Sequence, residues 1–586
     1  MSLEKITYPN QKYKLMRFSI LNVSTRSITG AALILAASVL VSRFLGLIRD
    51  RILAGIFGAG IELDIYFAAF RIPDLIYSII IGGAITSAFI PVFMNKLAKD
   101  EEHAWKIAQS FFYIAGVGLS GIAFLMFLLM PFIMPLVVPG FDAESRATAV
   151  EMSRIMLLSP IFLGLSAVFT GILHSFRKFL VYSLAPIFYN IGIIIGAVWL
   201  TKYFGINGLA WGVVLGAFGH MAVQAPITFS SGLRLTPFYG FRHPEIKRIL
   251  KLMLPRSLGL AAYQINLWVI TAIASTLVVG SLTVFNLANH LQYLPIGLIG
   301  VSFATAVFPN LSQAISERDY KDYLSELSKT LRGVFFMVLP VSILFFIMRA
   351  QIVRIVLGTG EFSWEATRLT AAALGAFSLG IFAYALTPVL SKAFYAQENT
   401  KTPVIASSIG MGVNILLSAF LIYIVFPNDG LLAFLERILK VSDVPGVAVI
   451  GLPLSFSISG IIALALLFAA FFRDKRNISI LPELTLSTLR VVPSALAVGI
   501  VSWIMLRVYA FIFPIETFVS IFSQTIFASL VALVLYLAIA YFGRFQEFDF
   551  LVSFLGNRFK KRMRRATQVQ LDGVDDFHKD NSSPAN

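Results

Sequence analysis

The chain has 586 residues, of which 58% are hydrophobic and only 13% charged, with a mean hydropathy of +0.82 and a formal net charge of +16. No soluble core needs so much apolar surface, and the roughly ten-residue alternating segments of a membrane β-barrel are missing, so the chain reads as an all-α polytopic membrane protein. Cysteine is absent, which excludes disulfides and thiolate metal sites, and the six histidines are scattered without ligand spacing.

Residues 1–26 are polar and basic, and the apolar run that follows leads straight into Arg43 and Arg49 without a small-residue cleavage site. The first helix is therefore expected to stay in place rather than be removed as a signal peptide. Apolar runs set against turn and charge punctuation predict about fourteen spans. They fall near 27–57, 63–95, 105–135, 146–176, 183–203, 208–231, 248–279, 283–314, 328–348, 364–395, 402–426, 447–472, 486–511 and 516–543. Loops on one side carry Lys96, Lys99 and Lys106, then Arg177 and Lys178, then Arg242, Lys247, Arg248 and Lys251, then Arg473, Lys475 and Arg476. The alternate loops are short and poor in Lys and Arg, with Arg349 and Arg354 as the exception, so both termini are expected in the cytoplasm. This placement, with no basic groove or stacking pattern beside it, also argues against nucleic-acid binding.

A weak internal repeat accompanies the spans. The second contains Pro73 and closes on Thr86-Ser-Ala-Phe89-Ile-Pro91, while the eighth contains Pro295 and closes on Thr305-Ala-Val-Phe308-Pro309. Ser175-Phe176 leads through Pro186 to Asn190, as Phe394-Tyr395 leads through Pro403 to Asn414. An offset of six spans is even, so the halves share orientation and predict two pseudo-symmetric lobes around a central cavity. The expected organisation is a cytoplasmic segment 1–26, a first lobe 27–235 and a second lobe 236–480 with an outer amphipathic segment 428–446. Two further spans occupy 481–550, and a basic, then disordered, tail fills 551–586.

Charge inside the first two spans is the strongest functional signal. Arg43, Arg49, Asp50, Arg51, Asp64, Arg71 and Asp74 all fall between apolar runs. Each charge at the bilayer centre costs roughly 2.5–3.5 kcal/mol, so these groups are expected to line a water-filled, cationic path suited to an anionic passenger. Ser42, Gly46 and Arg49 share one helical stripe, and Asp64 and Arg71 share another. Arg71 is placed to reach Asp74 at i+3, and Pro73 frees the carbonyl of Ala69 and predicts a kink. Arginine suits this duty because it stays protonated and grips phosphate oxygens bidentately. The competing reading puts Arg49, Asp50 and Arg51 at the outer interface, snorkelling in pairs with Asp64.

The stretch Ser42-Arg-Phe-Leu-Gly-Leu-Ile-Arg49-Asp-Arg-Ile-Leu-Ala-Gly-Ile-Phe57-Gly-Ala-Gly60, followed by Asp64-Ile-Tyr-Phe-Ala-Ala-Phe-Arg71-Ile-Pro73-Asp-Leu, resembles the first two helices of the MurJ/MviN family. Ala288 to Pro309 and Ala393 to Pro403 agree, and the resemblance covers roughly residues 27–540. Members of that family are lipid II flippases of the multidrug/oligosaccharidyl-lipid/polysaccharide exporter superfamily. The resemblance implies an alternating-access transporter rather than an enzyme, moving an undecaprenyl-pyrophosphate-linked saccharide across the bacterial inner membrane.

By position, Ser42, Arg43, Arg49 and Asp64 match the family's cavity residues. Arg71 matches a basic position, and Asp74 replaces an asparagine. Tyr77, Gly82 and His290 depart from the pattern at positions where the family carries an arginine, an acid and an arginine. His290 either substitutes as a cation when protonated or hydrogen-bonds within a polar helix that also holds Asn286 and Gln292. Arg256 either supplies a cation to the second lobe or marks the cytoplasmic boundary. With the cavity empty, Asp64 is expected to pair the arginines.

No cofactor or metal is called for. Asn414 and Ser455 match parts of the family's sodium site, but Ser418 stands where a carboxylate is expected, so sodium is not favoured and the coupling ion stays open. The expected partners are the lipid-linked anionic substrate and, at the tail run Arg558–Arg565, anionic phospholipids; the chain is expected to act as a monomer. Gly430 to Lys440 places Leu431, Leu435, Ile438 and Leu439 on one face, which reads as either a short interfacial helix or a plain loop packed on protein. The alternatives to a flippase are a cation-coupled multidrug exporter of the same superfamily, which calls for acidic cavity groups, and a non-transporting scaffold for envelope synthesis. The chain lacks a Gly-Lys-Ser/Thr phosphate loop and any recognisable acid–base or nucleophile–histidine set.

Overall fold

The computed structural model describes the backbone of residues 28–79, 89–235, 244–428, 430–549 and 552, with side chains throughout except at 28–36, 252–262 and 428. The basic N-terminal segment, Gly82, the side chain of Arg256 and the tail with its run Arg558–Arg565 lie outside the described residues.

Among the described residues every regular element is helical. In lipid no water satisfies stray backbone groups, so apolar runs of this length close their hydrogen bonds within the segment. Ten helices are long and apolar enough to cross a membrane, and Trp364–Ser378 with Ile381–Ala396, bent by 42°, makes an eleventh span if the pair is counted as one. All eleven fall on expected spans. The other three expected spans, 27–57, 63–95 and 248–279, each include undescribed residues.

Two compact units can be distinguished. One comprises Met1–His290, Val353–Ala373 and Met411–Phe456, and the other Leu291–Ile352, Leu374–Gly410 and Ser457–Asn586. In the first unit, Phe179–Ile195, continued by the π-helical Gly196–Leu200, packs on Asn207–Ala222 with almost no side chain between them. A Cβ on Gly196 would lie 2.6 Å from Gly212 Cα, and one on Gly192 would fall onto the backbone of Gly216. Small residues four apart are the usual means of bringing membrane helices this close. The first helix, Ile28–Phe57, lies along the same Phe179–Ile195 helix, and Ser183 Oγ donates to Ser38 Oγ at 2.9 Å. That packing directs Asn190 towards the charged end of the first helix.

In the second unit, Tyr320–Ile347 forms the centre of an apolar core with Leu327, Leu331 and Val334 against Val389 and Leu390 of Ile381–Ala396. Arg332 binds Gln546 at 2.7 Å and lies 3.6 Å from both Glu483 and Glu547, tying the last two spans to that helix. The segment 428–446, expected to be amphipathic, contains a helix, Gly430–Leu439.

Candidate functional site

The charged stretch resolves into three arrangements within the first unit. At the first, Arg49 donates to Asp50 Oδ1 through Nε (3.0 Å) and Nη2 (2.8 Å), and through Nη1 to Asn190 Oδ1 at 3.2 Å. The other oxygen of Asp50 accepts from His290 Nδ1 at 2.9 Å. Asp50 is thus a bridging carboxylate between two bases, and its side chain is only 5% exposed, against 19% for Arg49 and 36% for His290. Asn190 is held in turn by donating to Pro186 O at 3.0 Å. Ser42 and Arg43 lie half-buried about two turns earlier on the first helix. Gly46, on the stripe shared with Arg49, is open enough for the Asn190 amide to sit beside it.

The second arrangement surrounds Arg71. The span breaks at Phe70 into Ile61–Ala69 and Arg71–Tyr77, four residues after Tyr66 and three before the proline that deprives Ala69 O of its donor. The helix is therefore interrupted beside Pro73, where a kink was expected. Arg71, buried, donates through Nε to Thr271 Oγ1 at 2.6 Å and through Nη2 to Asn286 Oδ1 at 2.8 Å. The expected i+3 pair with Asp74 does not form as a hydrogen bond. The guanidinium instead reaches neutral oxygens on two other helices, and Asp74 is left half-buried one turn along. Tyr77, where the family carries an arginine, is partly exposed.

The third corrects the role expected for Asp64. Its carboxylate accepts from Gly280 N, Thr283 N and Thr283 Oγ1, each at 2.7 Å, and it is buried. It caps the helix Ser281–Pro295 from outside rather than pairing the arginines, because the free N–H groups and positive end of a helix offer a carboxylate three donors at once. The pairing duty falls to Asp50. Asp64 also fixes the entry turn, where Gly280 has φ +90° and any Cβ would fall onto the Ala59 carbonyl. Arg51 is likewise structural: it donates to Ile355 O at 2.6 Å, at the C-terminal end of the helix Arg349–Val356. Close by, Glu361 N donates to Gly55 O at 2.9 Å, so the segments after the first helix and around residue 360 are locked together.

Asn190, Thr271 and the bridging role of Asp50 were not singled out from sequence. The match of Asn190 to Asn414 in the repeat was the only signal for the first of them. The ion question narrows as well. Asn414 donates to Asn266 Oδ1 at 3.1 Å, while its own Oδ1 and the Ser418 hydroxyl are buried without a partner among the described residues. Ser455 donates to Gly451 O at 2.7 Å. These are neutral oxygens with no carboxylate among them, and no group of three or more His, Asp or Glu that could hold a metal occurs among the described residues.

Comparison with known proteins adds a lineage. A family model described as "Lipid II flippase MurJ" matches residues 53–523. The "Lipid II flippase MurJ" of Burkholderia cenocepacia is 30% identical over 403 residues, covering 66% of this chain and 76% of that one. A "Probable lipid II flippase MurJ" from Buchnera aphidicola subsp. Acyrthosiphon pisum is 31% identical over 389 residues, with 66% and 76% covered. Among solved structures, "Lipid II flippase MurJ, inward closed conformation" aligns with a TM-score of 0.68 at 26% identity, covering 87% of this chain and 99% of that one. An inward-facing MATE-family multidrug transporter aligns with a TM-score of 0.63 at 16% identity over 77% and 98%, a likeness of fold alone.

Proposed function

The chain belongs to the lipid II flippase MurJ family, and from that premise we propose that its buried basic cluster binds the pyrophosphate of lipid II as the lipid crosses from the inner to the outer leaflet. The observation that carries this reading is the bridge Arg49–Asp50–His290, a cation held in readiness by an internal anion. A guanidinium has five N–H donors. Arg49 engages three of them in the bonds given above, so a phosphate oxygen can add to it before displacing Asp50. Exchanging one anion for another avoids ever leaving the buried cation unpaired, the state that costs most.

Arg71 is the complementary half of the site. It is held by a hydroxyl and an amide, with no carboxylate hydrogen-bonded to it among the described residues, so an entering phosphate forms a charge-assisted bond there without displacing an acid. Asp64 is a positioning residue: it fixes the start of the helix that carries both Asn286 and His290. Ser42 and Arg43 extend the polar surface along the first helix. Transport by alternating access changes no covalent bond, so the family's activity asks only for binding groups that hold a pyrophosphate and let it go.

We place the chain in the bacterial cytoplasmic membrane as a multi-pass protein with both termini inside, acting as a monomer, with the basic tail against anionic lipids. The test is lipid II flipping in proteoliposomes. Arg49→Ala is expected to lose transport while remaining monodisperse in detergent, and Arg49→Lys to recover only part of it, because an ammonium cannot grip a phosphate bidentately. Full activity in Arg49→Ala overturns the assignment.

A further inference from the structure

The helix Gly430–Leu439 has no part in that site, yet its surface divides into three sectors. At 3.6 residues per turn, Leu432, Leu435 and Leu439 point to one side, where Leu439 is buried and the other two half-buried against protein. Leu431 (37% exposed), Phe434 (58%) and Ile438 (47%) form the next sector. Ala433, Arg437 and Lys440 complete the third, all exposed. A helix on a soluble surface needs two sectors, one dry and one wet. The exposed apolar side chains Leu431 and Phe434, set between the dry sector and the charged one, ask for a third environment.

The chain on either side says which. The helix follows the membrane span Lys401–Val425 through the 3-10 turn Phe426–Asn428. Three residues of 3-10 helix advance about 6 Å, which keeps the start of the helix within the interfacial layer at the end of that span. The span's own last turns expose Leu416, Phe420 and Tyr423, so the apolar sector continues a surface that already faces acyl chains.

The far end is firmly stopped. Lys440 adopts φ +58° and Val441 N donates to Glu436 O at 2.9 Å, a left-handed C-terminal closure. Arg368 then clamps it, binding both carboxylate oxygens of Asp443 at 2.6 Å and the carbonyl of Lys440. The helix is a fixed element, not a frayed turn.

We propose that Gly430–Leu439 is an interfacial anchor, with Leu431 and Phe434 inserted among the acyl chains at the end of the span Lys401–Val425 and Arg437 and Lys440 at the head groups. Its partner is the lipid surface itself, in the outer leaflet under the orientation proposed above. Amphipathic helices with basic flanks lie in membranes in this way.

The absence of native cysteine allows a unique nitroxide at Leu431→Cys, Phe434→Cys, Arg437→Cys and, as a reference inside the span, Leu416→Cys. The full chain is reconstituted in vesicles of phosphatidylethanolamine and phosphatidylglycerol, and each label is relaxed with oxygen and with a water-soluble nickel chelate. Labels at 431 and 434 are expected to follow the 416 reference, with strong oxygen relaxation and several-fold less nickel relaxation than at 437. Nickel access at 431 and 434 equal to that at 437 overturns the proposal, and so does shielding from both reagents, which would mean a protein contact. Either position reports alone if the other variant fails to fold. The readout is depth rather than transport, so its failure leaves the flippase reading standing, and the reverse also holds.

Discussion

Asp50 accepts from Arg49 on one oxygen and from His290 on the other, so neutralising it sets two basic groups against an amide in a buried place. Removing one partner of a buried pair costs about 3–5 kcal/mol, and Asp50→Asn is expected to lower the thermal unfolding midpoint in detergent accordingly. A double-mutant cycle with His290→Gln tests the bridge itself: contacting groups couple by about 0.5–3 kcal/mol, whereas additive losses would mean the bridge is idle. Asp64 has a different signature. Asp64→Asn keeps one acceptor oxygen for the Thr283 donors and is expected to be mild, while Asp64→Ala strips the cap and costs about 1–2 kcal/mol. If Asp64→Ala abolished flipping with an unchanged unfolding midpoint, Asp64 would be a substrate ligand rather than a positioning residue. Sequence reading located every one of these charges, because a charge in an apolar run is visible without a structure. It assigned the partner of the arginines to Asp64 rather than Asp50 because helical period tells which residues share a face, not which helix that face meets. The partner of Asp50 is 240 residues away, and that of Arg49 on the helix Phe179–Ile195 is 141 away.

Elements follow their residues in ways that were partly legible. Pro73 announced the break at Phe70, and the apolar runs announced the long helices. Gly196–Leu200 and Leu421–Val425, which follow Asn190 and Asn414, are both π-helical. A widened turn of this kind leaves no compositional mark, so no hydropathy reading could have placed it; such segments are frequent at functional sites. Close approaches of backbone are equally silent in a sequence scan. Gly280 and Gly205 look alike as loop glycines, and both have positive φ, +90° and +56°. Around Gly205 a Cβ meets nothing within 4 Å, while at Gly280 it lands on the Ala59 carbonyl. At φ +56° and ψ −148° Gly205 lies in a region essentially reserved for glycine, so Gly205→Ala is expected to cost only that backbone strain, about 1–3 kcal/mol. Gly280→Ala adds about 1–3 kcal/mol of overpacking and displaces the cap that Asp64 makes. Side-by-side melting curves should rank them in that order, and equal midpoints would remove the entry turn at Gly280 from the account of the site.

At the scale of the whole chain, hydropathy carries the architecture and charge carries the direction of transport. The chain holds 47 Lys and Arg against 31 Asp and Glu, and in the first two expected spans Arg49 is balanced by Asp50 while Arg71 has no hydrogen-bonded acid. A pyrophosphate esterified at both ends carries about two negative charges, which the two arginines match, but Asp50, displaced from Arg49, stays beside them as a further negative charge. What crosses the membrane is then a complex with residual negative charge, and each elementary charge is worth about 2.3 kcal/mol per 100 mV of potential. A negative interior therefore favours outward passage. In proteoliposomes carrying a potassium diffusion potential, flipping is expected to accelerate when the compartment that lipid II leaves is negative, and to slow when valinomycin and equal potassium abolish the potential. Arg43→Gln, which removes a half-buried cation about two turns before Arg49, leaves the head group less compensated and should steepen the dependence. A rate indifferent to potential in both proteins would mean that the arginines cancel the head group fully, and the drive would have to be sought in binding and release alone.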